Sequence, residues 1–304
     1  MSGRKKVPQF LKAGDEVAII SPSWAIDESK IGYAVRLLES WGLKVRLGKN
    51  VLRRYGPFAG SDRERLDDLQ AVTDDRNIRA VLCSRGGYGM LRIINKLNFN
   101  SLRRNPKWFV GFSDITVLNL WLSEIIGMVS IHAAMPLHYS DVKSSEETLR
   151  SLHAALFGEK MDVTWKGSFI RPAKVRGELT GGNLSLVYSL IGTKAEPGTK
   201  GKILFIEDVG EKFYHIDRMM VSLRLAGKLE KLSGLLAGGF TEMEDTKIPW
   251  GESLEDTFAQ ITNEYSFPVF CDFPAGHQHD NRALYIGKMA EVSIAGNEAT
   301  LKYL

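Results

Sequence analysis

The chain has 304 residues, of which 44% are apolar and 25% charged, and it carries a net charge of +4. These values exclude a disordered or fibrous chain, and by the usual size of domains they leave room for two, each with a core of its own. The two cysteines cannot form a disulfide framework, and no apolar run approaches the roughly 18 residues of a membrane helix.

Lys and Arg are spread along the chain apart from Arg4-Lys5-Lys6, so no nucleic-acid partner is expected. That basic start leads into Gln9-Phe10-Leu11-Lys12 rather than a long apolar stretch, which predicts no signal peptide, no membrane partner and a cytoplasmic location.

The first half alternates strand and helix patterns. Strand-like Glu16–Ile20 is followed by a helix near Glu28 to Trp41 and by Lys44–Leu47. A helix near Ser61 to Val72, a strand at Ala80–Cys83 and a helix from Gly89 to Leu97 come next. Lys107–Val110 then reads as a buried strand, and Ile115 to Ile126 has helical spacing. The fold class predicted is α/β, with an N-terminal parallel-sheet domain at 1–160. A run of turn-forming and charged residues between Gly158 and Arg176 marks the boundary.

The second domain, 172–304, is predicted to be β-rich. Gly181-Gly-Asn183 opens a helix to Leu190, Lys202–Ile206 is a strand, and Tyr214 to Leu225 is a helix. Gly234–Ala237, Pro268–Cys271, Ala290–Ile294 and Ala299–Lys302 read as short strands.

Parallel sheets place ligands beyond the carboxyl ends of their strands, where Ser21-Pro-Ser23, Arg85-Gly-Gly-Tyr-Gly89 and Ser113 all fall. Ser113 lies between a strand and a helix, a turn that lifts its hydroxyl above the sheet and frees the Asp114 N–H to face an oxyanion. Gly86 or Gly87 could add a second donor. An N-capping role for the Ser-Asp pair is the plain alternative. The position two after Ser113, glycine in the familiar hydrolase elbow, is Ile115, which disfavours an ordinary α/β-hydrolase. A serine nucleophile needs an imidazole and an acid to orient it. His277 is the candidate base, and either Glu207 or Asp208 the acid.

His277-Gln-His279-Asp280 contains two histidines and an acid but no complete metal set, so no metal is expected. Cys83 reads as a core residue, and His132, after a buried-looking strand, could line the same crevice.

In combination the motifs resemble the LD-carboxypeptidase family of serine peptidases, which spans murein tetrapeptide carboxypeptidases and microcin C resistance peptidases. The carriers are Ile19-Ile-Ser-Pro-Ser23, Phe58-Ala-Gly-Ser-Asp-Arg-Glu-Arg65, Ser84-Arg-Gly-Gly-Tyr-Gly89, Gly111-Phe-Ser-Asp-Ile-Thr116, Leu179-Thr-Gly-Gly-Asn-Leu184, Ile206-Glu-Asp-Val209, Tyr214-His-Ile-Asp-Arg218 and Gly276-His277. The resemblance implies Ser113 as nucleophile, Glu207 as orienting acid and His277 as base, a Rossmann-like first domain, no cofactor, and a homodimer. It implies a small peptide substrate with a free D-amino-acid terminus, for whose carboxylate Arg85 is the partner by type. Ala133-Ala-Met-Pro136 and Gln278-His-Asp-Asn281 depart from the family pattern and concern substrate choice.

Release of D-alanine from murein tetrapeptide in peptidoglycan recycling is the leading expectation. Cleavage of peptidyl or aminoacyl nucleotides is the second, for which Trp24, Tyr88, Tyr139 and Trp165 are aromatic candidates. A non-catalytic peptide or sugar binding module is the alternative of another class.

Overall fold

The computed structural model describes residues 5–140 and 145–304; Arg4, the first of the three basic residues, lies outside them. The described residues form two sheets.

The first sheet contains β1 (Glu16–Ile20), β2 (Lys44–Leu47), β3 (Ile78–Cys83), β4 (Trp108–Val110) and β5 (Ser130–His132). These five pair in parallel in the order β5-β4-β3-β1-β2. β1 and β3 are almost wholly buried runs, as strands covered on both faces must be. The strand order reverses between β1 and β3, and at such a switch point the loops leaving neighbouring strands part to form a crevice. Helix Asp62–Asp74 opens on a capping box, with Ser61 and Glu64 each accepting from the other's backbone N–H.

The second sheet is built from β6 (Val163–Lys166), β7 (Phe169–Ile170), β8 (Val175–Asn183), β9 (Lys202–Val209), β10 (Gly234–Thr241), β11 (Val269–Phe270), β13 (Met289–Ala295) and β14 (Glu298–Tyr303). Its centre, β8-β9-β10-β11, is parallel, and antiparallel strands flank it on both sides. Helices Leu184–Ser189, Phe213–Leu225 and Leu254–Ile261 accompany it. The first was expected, with Asn183 as its cap. Gly181-Gly-Asn183, expected to open it, is instead the end of β8.

The remaining strand, β12 (Leu284–Ile286), crosses the expected boundary. It leaves the second half of the chain to pair antiparallel with β5 at the edge of the first sheet. Helix Glu146–Phe157 guides it there: Asn281 N–H donates to Thr148 Oγ1 at 2.9 Å, Ala283 N–H to Ser151 Oγ at 2.9 Å, and Tyr285 Oη to the Ala155 carbonyl at 2.7 Å. We therefore propose the 1–160 and 172–304 division with this one strand exchanged. No helix among the described residues is long and apolar enough to cross a membrane.

One apolar cluster runs through both halves, from Ile78 and Phe109 through Val117 and Leu118 to Leu184, Leu204 and Ile216. Charges join them as well. Lys5 Nζ lies 3.3 Å from Glu124 and 2.7 Å from Glu178, and Lys202 Nζ lies 3.1 Å and 2.7 Å from the same two carboxylates. All four side chains are largely buried, so each charge depends on its partners. Glu178→Gln leaves two lysines facing one carboxylate, and removing one partner of such a set costs about 3 kcal/mol. Urea unfolding at neutral pH is the measurement, with the midpoint expected to fall.

Candidate active site

Ser113 has φ of 61°, in the left-handed region, directly after β4 and at the start of a tight helical turn that continues as helix Thr116–Trp121. A non-glycine residue held there costs about 1–3 kcal/mol, and such strain collects at functional turns. Asp114 is fully buried and sustains the geometry: its Oδ2 accepts from Ser23 Oγ at 2.6 Å and from the Met90 N–H at 2.9 Å. Burial pushes this carboxyl up, against the pull of those donors and of the Arg65 charge. Arg65, also buried, donates to the Pro22 carbonyl at 2.6 Å and the Gly89 carbonyl at 3.1 Å. The loops after β1 and β3 are thus tied to the turn carrying Ser113.

Gly86 touches that turn. A Cβ placed on it would lie 2.8 Å from Ser113 Cβ, 2.9 Å from Ser113 Oγ and 3.3 Å from the Asp114 nitrogen, so only glycine fits. Gly87 is exposed one residue on, against the Trp24 ring. Arg85 is half-buried, donates to the Ala25 carbonyl at 3.1 Å and lies over Trp24 at 5.5 Å. It makes no ion pair among the described residues, and burial lowers its pKa.

Glu207 comes from the second sheet and His277 from the loop between β11 and β12. Glu207, near the end of β9, is fully buried, and its Oε2 accepts from His277 Nδ1 at 2.7 Å and from the His277 N–H at 3.2 Å. Gly276 is held at φ 104°, and a Cβ there would come within 2.7 Å of the Glu207 side chain. The glycine before the histidine is what permits this contact. Thr241 Oγ1 donates to the His277 carbonyl and fixes the loop further.

Asp208, the other acid left open by the sequence, points to the opposite face, as alternation along a strand requires. It accepts from Asn183 Nδ2 at 2.8 Å and the Ser185 N–H at 2.9 Å, capping helix Leu184–Ser189. Burial and the neighbouring Glu207 charge push it up to about 7. Glu207 is also penalised by burial, yet the His277 charge and hydrogen bonds hold it below the usual carboxylate range. His277 is raised in turn: burial works against its cation, and the Glu207 carboxylate outweighs burial.

The structure therefore joins Glu207 to His277. It makes no hydrogen bond between His277 and Ser113 among the described residues; instead the ring of Phe112, just before Ser113, packs on the imidazole at 4.7 Å. Catalytic hydrogen bonds often tighten only when substrate is bound.

Other expectations sort by burial. Tyr139 and Trp165 lie in the core, whereas Trp24 and Tyr88 are exposed. Cys83 is buried, and burial pushes its thiol up. Asp280 accepts from Arg282 at 2.9 Å and from Ser145 at 3.0 Å. No group of three or more His, Cys, Asp or Glu among the described residues could hold a metal ion. Sequence reading gave no role to Ser23 or Arg65, whose only signal was their place in the recurring blocks.

Comparison with known proteins agrees with the fold and defines the class. The model of the LD-carboxypeptidase N-terminal domain matches residues 17–133, and that of the LD-carboxypeptidase C-terminal domain matches residues 176–292. The chain belongs to the LD-carboxypeptidase family. It is 35% identical to a probable murein peptide carboxypeptidase of Bacillus subtilis over 97% of this chain and 94% of that one. It is 32% identical to the murein tetrapeptide carboxypeptidase of Pseudomonas aeruginosa over 90% and 92%. The crystal structure of muramoyltetrapeptide carboxypeptidase from Oxalobacter formigenes superposes with a TM-score of 0.85 at 29% identity, covering 95% of this chain and 98% of that one. The microcin C7 self immunity protein shares the fold, with a TM-score of 0.88 at 19% identity and 98% of each chain covered.

An NMR titration of the His277 imidazole checks the electrostatics of the pair. Its midpoint is expected above the ordinary 6.5, because Glu207 stabilises the cation more than burial disfavours it. Glu207→Gln removes that charge and keeps the burial, so the midpoint should move down.

Proposed function

We propose that this chain is a serine LD-carboxypeptidase that removes the terminal D-alanine of murein tetrapeptides in the recycling of peptidoglycan within the cytoplasm. The observation that carries the reading is the 2.7 Å bond from His277 Nδ1 to the buried Glu207, facing a turn that holds Ser113 at φ 61°. The curated murein peptide carboxypeptidases named above, alike over nearly the whole chain, support the substrate class.

Glu207 fixes the imidazole with its proton on Nδ1, leaving Nε2 free to accept. Ser113 Oγ attacks the carbonyl carbon of the terminal peptide bond, and its proton passes to His277 Nε2. The N–H groups of Asp114 and of Gly86 or Gly87 face the resulting oxyanion; losing one donor of this kind costs about 10² to 10³ in rate. His277 then gives its proton to the departing amine, the C–N bond breaks and D-alanine leaves. Water, deprotonated by the same imidazole, hydrolyses the acyl-enzyme and returns the proton to Ser113. No step calls on a metal or an organic cofactor.

Arg85 is assigned to the substrate's terminal carboxylate. Half-buried and without an ion pair among the described residues, it stands one residue from Gly86. Arg85→Lys keeps the charge but loses the bidentate fork, so KM for tetrapeptide should rise about tenfold with kcat little changed. An unchanged KM would reduce Arg85 to a brace for Ala25.

The test of the activity is incubation with L-Ala-γ-D-Glu-meso-diaminopimelate-D-Ala, followed by mass spectrometry of released D-alanine. Release by the parent, unaffected by chelator and at least about 10³-fold lower in Ser113→Ala, is expected. Release that persists in the variant would remove Ser113 from the mechanism. If the folded parent left the tetrapeptide intact and cleaved an aminoacyl nucleotide, the substrate assignment would pass to such conjugates. Inertness toward both would point to a binding module.

A further inference from the structure

A second histidine lies behind the Glu207–His277 pair. His132 ends β5 and is fully buried, and neither of its ring nitrogens has a hydrogen-bond partner among the described residues. Glu207 Oε1, the carboxylate oxygen that does not meet His277, is equally buried and equally without a partner among the described residues. Buried polar atoms in folded proteins are almost always satisfied, and a lone oxygen of an ionised carboxylate is the most expensive kind to leave bare. Two such groups sharing one region of the core are each other's natural complement.

The surroundings place them together. The His132 ring stands edge-on to Phe205 at 5.0 Å, and Phe205 lies two residues before Glu207 on β9, so both project from the same face of that strand. Phe112 packs on His132 at 5.5 Å and on His277 at 4.7 Å, so one ring bridges the two imidazoles. The Glu207 charge also acts on His132 electrostatically, raising its pKa against the larger lowering effect of burial. The net result, about 4, makes His132 a neutral ring at working pH, with one N–H to donate. A neutral donor suits this place: it satisfies Oε1 without placing a second positive charge beside His277.

Building on the peptidase reading, we propose that His132 is a positioning residue whose ring N–H holds Glu207 Oε1 across one buried water, and so keeps Oε2 on His277 Nδ1. Glu207 then has both oxygens engaged and cannot swing about its terminal torsion, and the imidazole that serves Ser113 inherits that rigidity. His132 touches neither substrate nor nucleophile in this role.

The experiment combines NMR of the ring protons with steady-state kinetics. In the parent protein a slowly exchanging His132 ring N–H resonance is expected, and it should shift in Glu207→Gln. His132→Phe keeps much of the volume and removes the donor. It should lower kcat for tetrapeptide about 10- to 100-fold with KM unchanged, and should broaden or shift the His277 Nδ1 proton signal. His132→Gln restores a donor and should recover most of both readouts. If His132→Phe does not fold, His132→Leu serves as the donorless variant. Absence of a protected His132 N–H, or its indifference to Glu207→Gln, would overturn the proposal. So would equal losses in the donor and donorless variants, which is what a packing role produces, or no loss in either. The NMR readouts do not need turnover. A parent that fails to release D-alanine but shows the coupled resonances would therefore refute the substrate assignment and leave the positioning role standing.

Discussion

The crevice depends on a carboxylate that never meets solvent. Asp114 is anchored to Ser23 after β1 and to the Met90 N–H after β3, while its own backbone forms the turn after β4. Three loops from one sheet edge converge on a single side chain. Taking a carboxylate out of water is costly, and here a hydroxyl, a backbone N–H and the field of buried Arg65 offset part of that cost, while burial still holds the carboxyl above its usual range. The strain at Ser113 is tolerable because this surrounding network over-determines the turn. Gly86 completes the arrangement by offering nothing where a methyl group would collide with the serine.

The two halves contribute unlike things to the same place. The first half presents a strained hydroxyl and backbone N–H groups; the second presents a carboxylate and an imidazole whose charges stabilise each other. Neither half holds a complete set. Their relation is set by the apolar cluster that runs through both and by a tie beside the elbow, where the Asn183 N–H donates to Thr116 Oγ1 at 3.0 Å. A Cβ on Gly182 would come within 2.5 Å of that same hydroxyl, so Gly182 at the end of β8 lets Thr116 approach, while Gly181 makes room for the Phe205 carbonyl of β9. Phe112, next to Ser113 in the chain, packs on the His277 ring.

Much of this was legible in the residues. The βαβ alternation identified the parallel sheet, and a serine between a buried strand and a helical pattern identified the elbow. The residues alone left Glu207 and Asp208 open, because adjacent strand residues face opposite ways and nothing local says which way is inward; only the family resemblance picked out Glu207. The ending of β8 was misread for a related reason: glycines normally interrupt strands, and only the close approach of the Phe205 carbonyl to Gly181 and of Thr116 to Gly182 explains their presence in one. Helix Leu254–Ile261 escaped notice although Ser253 and Asp256 form its capping box. β12 was hidden because three residues are too few to show a period, and because its partner lies in the other half of the sequence.

That late strand has a consequence for how the chain acquires its shape. Until Leu284–Ile286 has been made, β5 presents an open row of N–H and C=O groups, and the first sheet has an unfinished margin. A ribosome-bound chain that has completed the first domain in length has not completed it in structure. The two family regions, although separable in sequence, share a sheet edge and an apolar cluster. A fragment ending near residue 160 should therefore seek another strand to cover the gap, its own copies included.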